Sequence, residues 1–386
     1  MRFILAAAII IFSTLQVSAD GIKFFKGSWK EALAEAKSSD KLIFMDCYTT
    51  WCGPCKAMAR DVFPNAKVGD YFNDNFINVK MDMEKGEGKT LARKYSVNAY
   101  PTLLFVDGSG KVVHMSKGAK PAAKFINLGK TAMRKNDKSP EYVKQYEAGK
   151  REPDFLRRYA YSLRSAKKDY QRIANEYLVT QKDFTTPTNL KFIYDFTNVA
   201  DSRIFNLMIE NKAAILTQDI SRQEFNNKVM MSATNTVLNA VKFKNTGLVE
   251  EAKDAVKSGV PDAAKQFAVE ADMIYYSGIN NEAEFIKSAS VFAKKFAKNN
   301  AFKLDELSKM VLAFCQDQAS FKKAEKWALK AIENGGQAEY HLTYAQLLAQ
   351  QNRKIEAVRA ANEGRNVAIQ AKEPTGRFDI FIQETK

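Results

Sequence analysis

The sequence predicts two kinds of domain in one chain: an α/β domain first, then an all-α domain that is an α-solenoid of helical hairpins. The chain has 386 residues, which at about 100–200 residues per domain suggests two or three domains. Strand-like apolar runs alternate with helical patterns up to about residue 135, and only helical periodicity follows. Hydrophobic residues make up 46% of the chain and charged residues 27%, so we expect a buried core and exclude intrinsic disorder.

The N-terminus has the layout of a secretory signal. A basic start precedes the apolar run 3–12, and the small residues Val17, Ser18 and Ala19 follow it. The alternative is a membrane anchor, but a span needs about 20 apolar residues and polar residues interrupt this run too early. We therefore predict a signal peptide over residues 1–19. An exported protein is expected, in the periplasm or secreted, without stable membrane insertion after cleavage.

The net charge of +15 invites a nucleic-acid interpretation, because Lys plus Arg is 59 and Asp plus Glu is 44. The excess is spread along the chain, with +8 over residues 20–135 and +6 over residues 136–386. No run of like charge reaches the five or six residues that mark a binding arm. The sequence therefore predicts no nucleic-acid partner.

The first domain, residues 20–135, shows a βαβ unit followed by a β-hairpin. Ser28 and Glu31 form a capping box that opens an amphipathic helix through about Lys37. Apolar runs predict the strands, and a short helical pattern lies between them. The predicted strands span 42–48, 76–81, 102–107 and 111–115, with a helix over 89–95.

A Cys-x-x-Cys pair follows the first predicted strand, with Gly53 and Pro54 between Cys52 and Cys55. A disulfide across so short a loop adds little stability through chain entropy, so the spacing favours reactivity. A helix beginning at Gly53 and Pro54 directs its unpaired N–H groups and its dipole at Cys52. These groups stabilise a thiolate there and make Cys52 the attacking sulfur, while Cys55 lies one turn inward.

A zinc site is the alternative for these cysteines. It would need a second pair of Cys or His ligands, and His114 and His341 stand isolated. We therefore predict no metal. The other two cysteines are interpreted as packing residues: Cys47 as a small buried hydrophobe, and Cys315 as an inert part of a helix.

The run from Trp51 to Lys56, with Asp46 six residues before Cys52 and Pro101 before a strand, resembles the thioredoxin family over residues 22–130. The resemblance implies a thioredoxin-like fold, with Cys52 as nucleophile and Cys55 as resolving cysteine. It implies no bound cofactor, because the redox-active Cys52–Cys55 disulfide carries the electrons.

The resemblance also assigns roles to residues around the motif. Asp46 matches the buried acid that moves a proton to or from the resolving thiol, and Lys80 matches the lysine paired with that acid. Pro101 matches the cis-proline that faces the disulfide, and Tyr100 offers its backbone to a bound peptide. Trp51, Gly53 and Pro54 complete the predicted substrate-binding surface. The alternatives are a solvated strand-end carboxylate for Asp46 and a merely exposed strand lysine for Lys80.

One position departs from ordinary thioredoxin. Arg60 stands where the family has its kink proline, and a break follows at residues 61–65. In these features the chain is more similar to exported thioredoxin-like proteins and to the C-terminal domain of DsbD-type envelope reductases. An envelope electron donor or acceptor is therefore expected as a partner.

Residues 136–386 show helical spacing of apolar residues, with Pro153, Pro187 and Pro261 at apparent helix starts. The segment from Phe321 nearly repeats in the segment from Lys354, at a spacing of 33 residues. This region resembles degenerate tetratricopeptide repeats, whose stacked hairpins form a protein-binding groove. A plain helical bundle is the alternative.

The function expected from these features is thiol–disulfide exchange on exported proteins. Gly-Pro between the cysteines resembles reducing thioredoxins, so we expect a reductase that acts on disulfides of envelope proteins, with protein thiols or disulfides as its substrates. A disulfide oxidase or isomerase stays open, as does a non-catalytic scaffold in which the first domain only docks a partner.

Overall fold

A computed structural model describes residues 21–218 and 220–385, which form two compact units divided between Asp183 and Phe184. The predicted signal peptide, residues 1–19, lies outside the described residues. The predicted domain boundary after residue 135 stays a prediction. The first compact unit also includes the three helices that follow that boundary.

The first unit is built on a four-stranded sheet with the spatial order β2-β1-β3-β4. β1 and β2 run parallel, and the other two neighbouring pairs run antiparallel. This order is that of a βαβ unit extended by a hairpin, and it confirms the predicted α/β class. The strands are β1 (Leu42–Tyr48), β2 (Phe76–Asp82), β3 (Thr102–Val106) and β4 (Val112–Lys117).

Helices cover both faces of this sheet. The predicted capping box is present on the first of them, where the Glu31 N–H donates to the Ser28 hydroxyl and the Ser28 N–H donates to the Glu31 carboxylate. The helices are α1 (Trp29–Ser39), α2 (Gly53–Asp61), α3 (Ala66–Asn75), α4 (Gly86–Lys94) and α5 (Ala122–Lys135).

Alternation along β1 divides its side chains between two cores. Ile43, Met45 and Cys47 pack on the face that carries Trp29 of α1. Leu42 and Phe44 pack on the opposite face, against residues of three helices. Those partners are Met58 of α2, Phe72 of α3 and Phe125 of α5. The face that a β1 residue occupies therefore decides whether it can meet α2.

Two helices of this unit, α3 and α5, had not been predicted. The sequence of α3 is rich in Gly, Asp and Asn, which are poor helix formers. The Asn65 side chain caps α3 by accepting the Val68 N–H, and the buried Val68 and Phe72 hold the helix on the sheet. Tertiary packing thus outweighs a weak local preference.

Three more helices complete the first unit. Their ion pairs with the sheet domain lie on its periphery: Lys138 Nζ lies 3.5 Å from Asp40, and Arg164 lies 3.7 Å from Asp74. The Arg157 guanidinium donates to the Ser38 carbonyl oxygen at the end of α1. The helices are α6 (Ser139–Glu147), α7 (Pro153–Ser165) and α8 (Gln171–Val179).

The second unit is helical throughout its described residues, as predicted. Pro187 and Pro261 begin a helix and a 3₁₀ turn, respectively, and Pro153 begins a helix of the first unit. The α-helices are α9 (Pro187–Phe196), α10 (Arg203–Glu210), α11 (Lys212–Ile215), α12 (Arg222–Phe243), α13 (Thr246–Gly259), α14 (Ala264–Gly278), α15 (Glu282–Phe296), α16 (Ala301–Phe314), α17 (Gln318–Gly335), α18 (Ala338–Gln350), α19 (Lys354–Gln370) and α20 (Gly376–Thr385).

Hairpins recur in this unit with a longer period than the sequence match had given. α14, α16 and α18 begin at Ala264, Ala301 and Ala338, 37 residues apart. α17 and α19 begin at Gln318 and Lys354, 36 residues apart. The structural repeat is therefore about one helical turn longer than the 33-residue match. A shift of 3.6 residues returns small residues to the same helix face, so the sequence match aligned the two segments one turn short. Assignment to the tetratricopeptide class stays a prediction.

Cys315 lies just beyond its predicted helix. α16 ends at Phe314, and the extended Cys315 caps it by donating its N–H to the Val311 carbonyl oxygen. The thiol is buried, which raises its pKa to about 12.

Across the described residues, no helix has the length and apolar character required to cross a bilayer.

Candidate active site

The two motif cysteines form a disulfide at the N-terminus of α2. Cys52 and Cys55 are joined with an S–S distance of 2.05 Å. Cys52 is the N-cap residue, and its sulfur accepts the Cys55 N–H at 3.2 Å. Pro54 in the first turn has no N–H to leave unsatisfied there. A thiolate at Cys52 would therefore face the positive end of the helix, as expected from the sequence.

Both sulfur-bearing residues are largely buried, while the two residues between them are exposed. Cys52 is 3% exposed and Cys55 4%, whereas Gly53 and Pro54 face solvent. The loop before Cys52 is tied back to it, because the Cys52 N–H donates to the Thr49 carbonyl oxygen at 3.3 Å. Solvent therefore reaches this end of α2 at Gly53 and Pro54, while both cysteines stay covered.

Asp46 lies inside the domain, on the side of the sheet that α2 covers. It alternates with Leu42 and Phe44, which pack against Met58 of α2. Cys55 precedes Met58 by three residues and thus projects from the same helix face. Asp46 is 1% exposed, and its Oδ1 has no hydrogen-bond partner in the described residues. The alternative of a solvated strand-end carboxylate is therefore wrong.

Burial makes the Asp46 carboxyl a weaker acid than usual. It raises the pKa of Asp46 to about 7, and the nearby positive charge of Lys80 opposes that rise only in part. A carboxyl with such a pKa can both give and take a proton near neutral pH. Asp46 can therefore act as an acid or a base next to a thiol.

Lys80 lies opposite Asp46 in the β1–β2 register, but its ammonium turns outward. The ammonium lies 4.9 Å from the Tyr48 ring centroid and 6.0 Å from that of Phe24. Within the described part of the chain it forms no ion pair with Asp46. Cys47 points to the opposite core, where burial raises the pKa of its thiol.

The exposed surface beside the disulfide is aromatic. Trp51 is 65% exposed, and its ring meets the half-buried Tyr100 ring edge-on, with centroids 5.9 Å apart. The peptide bond between Tyr100 and Pro101 is cis, as the resemblance implied. The Pro101 carbonyl oxygen accepts the Gly118 N–H at 2.8 Å. An exposed aromatic pair thus lies between the residue that precedes Cys52 and the cis-proline.

Glu84 belongs to this surface and was missed in the sequence. The Trp51 indole N–H lies within hydrogen-bond distance of both Glu84 carboxylate oxygens, at 3.0 and 3.1 Å. The parallel register that pairs Tyr48 with Asp82 places the loops after β1 and β2 side by side. An acidic residue just after the second strand was the signal that could have identified this contact.

We expect Glu84→Ala to weaken substrate binding without stopping the chemistry. The indole loses its acceptor, and the exposed ring samples more orientations. Because exposed polar contacts of this kind contribute modestly, kcat/KM for a protein disulfide should fall about two- to fivefold, mainly through KM. Steady-state kinetics on Glu84→Ala and on the neighbouring control Lys85→Ala measure the effect. An unchanged KM in both variants contradicts the positioning role of Glu84.

Comparisons with known proteins identify the family that the N-terminal region resembles. The model of a thioredoxin-like domain family matches residues 29–132. Thioredoxin-2 of Saccharomyces cerevisiae is 40% identical over 86 residues, which are 22% of this chain and 76% of the relative. Thioredoxin 2 of Chlorobaculum tepidum is 33% identical over 99 residues, or 26% of this chain and 85% of the relative.

A solved structure is also similar in this region. The solution structure of a candidate disulphide-isomerase from Bacteroides thetaiotaomicron is 53% identical, with a TM-score of 0.28. The match covers 29% of this chain and 93% of that protein. The Cys52–Cys55 disulfide, the sheet order and the two thioredoxin relatives agree. This chain belongs to the thioredoxin family and is a thiol–disulfide oxidoreductase whose redox domain is followed in sequence by a long helical region.

Proposed function

We propose that this protein reduces disulfides of exported proteins. The observation that carries the proposal is the Cys-Gly-Pro-Cys disulfide at the start of α2, with the buried carboxyl of Asp46 on the same side of the sheet. Gly-Pro between the cysteines is the pattern of reducing thioredoxins. The signal peptide predicted over residues 1–19 supports export, to the periplasm or beyond.

In the proposed reaction, the Cys52 thiolate attacks one sulfur of a substrate disulfide and releases the other as a thiolate. A mixed disulfide between Cys52 and the substrate results. Cys55 then loses its proton to the Asp46 carboxylate, and its thiolate attacks the Cys52 sulfur. The substrate leaves fully reduced, and the Cys52–Cys55 disulfide is the oxidised product. A reductant in the same compartment must return it to the dithiol.

We propose that the surrounding residues bind the substrate or adjust the pKa of Asp46. Trp51, Gly53 and Pro54 would contact the substrate, and the Tyr100 and Pro101 backbone would lie alongside it. Lys80 would act on Asp46 through its positive charge, which lowers the pKa of that carboxyl. The helical region would select or hold protein partners.

The reduction potential of the Cys52–Cys55 pair tests the direction of electron flow. We expect a value near that of thioredoxin, about −270 mV, when the protein is equilibrated in glutathione buffers and its free thiols are counted. A Cys47→Ala, Cys315→Ala background leaves only the motif pair to titrate. A value well above about −200 mV would favour an oxidase or isomerase instead. A pair that never titrates would leave only the scaffold alternative.

A further inference from the structure

Two parallel helices of the second unit, α15 and α17, lie side by side. At their N-terminal ends, the Glu282 carboxylate accepts the Gln316 and Asp317 N–H groups, both at 3.0 Å. At their C-terminal ends, the Asn334 amide donates to the Lys298 carbonyl oxygen at 3.4 Å. Because both ends are joined in this way, the outward sides of the two helices form one continuous surface.

Lysines dominate that surface. On α17 the buried residues Phe321, Ala324 and Ala328 define the inner side, and at 100° per residue four lysines fall on the opposite stripe. α15 and the residues just after it add three exposed lysines near the joined C-terminal ends. We call this set the basic face: Lys294, Lys295, Lys298, Lys322, Lys323, Lys326 and Lys330.

The charge of the basic face is not neutralised by its surroundings. None of the seven lysines forms an ion pair with another described residue. Of the nearby acids, Glu284 pairs with Lys287 at 3.2 Å and Glu325 with Arg353 at 2.8 Å, while Glu282 accepts two backbone N–H groups and keeps its charge. Over residues 282–298 and 317–335 together, eight lysines stand against five acidic residues, Glu282, Glu284, Asp317, Glu325 and Glu333, which leaves a net charge of +3. The packing of α15 and α17 thus brings seven lysines from two separate segments of the chain onto one surface.

We propose that the basic face binds the surface of an anionic lipid membrane. Lysine acts as a compact point charge and lacks the planar fork with which arginine grips a single phosphate or a base edge. Seven lysines on two side-by-side helices therefore suit a flat layer of negative charge better than one defined ligand. Leu329, 38% exposed on the same stripe, adds an apolar contact at that layer. Binding is peripheral and electrostatic, without insertion of a helix.

Vesicle sedimentation with the full chain tests this proposal. We expect binding to vesicles that contain phosphatidylglycerol, no binding to phosphatidylcholine alone, and release as salt screens the charges. Each lysine near an anionic surface contributes about a fivefold gain in partitioning. The triple variant Lys322→Gln, Lys326→Gln, Lys330→Gln should therefore bind about 100-fold more weakly.

The matched control removes the same charge from helices of the first unit. Lys30→Gln, Lys89→Gln, Lys124→Gln changes three exposed helical lysines and should bind nearly as well as the natural protein. Both triple variants should keep their thiol–disulfide exchange activity, and an unchanged far-ultraviolet circular dichroism spectrum reports that the helices of the second unit stay folded. If the first triple variant is unstable, Lys294→Gln, Lys323→Gln replaces it, with an expected loss of about 25-fold.

Several results would overturn the proposal. Equal losses in the two triple variants would mean that net charge, not the basic face, drives binding. Equal binding to neutral vesicles, or no vesicle binding at all, would exclude an electrostatic lipid site. Duplex DNA that binds through the same lysines, and more tightly than the vesicles at equal salt, would identify a nucleic-acid face instead.

Discussion

We expect Cys52→Ser to lower thiol–disulfide exchange with a protein substrate at least about a thousandfold below the natural protein. The Cys52 sulfur caps the N-terminus of α2, where the helix dipole favours a thiolate, so we expect it to be the attacking sulfur. A serine hydroxyl there is not ionised near neutral pH and cannot form a stable bond to sulfur. The rate of substrate thiol release under a regenerating reductant measures the loss.

Cys55→Ser separates the two steps of the reaction. Cys52 can still attack, but nothing displaces the bound substrate, so the mixed disulfide accumulates and appears as a covalent adduct by intact-mass measurement. Cys47→Ala is the control, because Cys47 packs in the core on the other face of β1. It should keep full activity. Turnover that survives Cys52→Ser would refute the mechanism, and a trapped adduct on Cys52→Ser in place of Cys55→Ser would reverse the assigned roles.

Local patterns predicted the elements that carry the chemistry. β1 was predicted with the bounds that the structure shows. A short run of mostly apolar residues is typical of a strand that is buried on both faces. The start of α2 followed from Gly53 and Pro54, and the burial of Asp46 from the apolar residues around it. Each of these features depends on residues that are close in sequence, so local sequence patterns were enough to predict it.

Features that depend on tertiary contacts were not predictable in this way. α3 forms because Val68 and Phe72 find a core, not because its residues favour a helix. Glu84 reaches Trp51 because two parallel strands end together. The basic face arises because α15 and α17 pack in parallel, which joins lysines from two separate segments. In each case the determining contact lies far away along the chain.

We expect Asp46→Asn to stabilise the first unit above neutral pH. Burial raises the pKa of the Asp46 carboxyl to about 7, against about 4 in an unfolded chain. The folded state thus binds the Asp46 proton more tightly than the unfolded state does. The resulting contribution to the free energy of unfolding is fully present below about pH 4 and is lost as the pH rises through 7. Between about pH 5 and pH 8, the natural protein should lose about 3 kcal/mol relative to Asp46→Asn.

Urea unfolding of the full, oxidised chain at both pH values measures this difference. A Trp327→Phe background leaves Trp29 and Trp51 as the only tryptophans, so emission reports on the first unit. Asp61→Asn is the control, because this exposed carboxylate pairs with Arg60 at 2.7 Å and has a lowered pKa. It should show no gain between pH 5 and pH 8. A gain for Asp61→Asn, or a pH-independent difference for Asp46→Asn, would contradict the burial argument.

The same substitution should slow the reaction. Without the carboxylate, the Cys55 proton must pass to solvent, so the mixed disulfide is resolved more slowly and its adduct persists longer after rapid quenching. A residue kept only for structure would not lower stability and raise the rate together. Because an ionised Asp46 is costly to the fold, a variant that is more stable at pH 8 but slower to resolve would show that this carboxyl is retained for proton transfer. A more stable variant with an unchanged resolution rate would remove Asp46 from the mechanism.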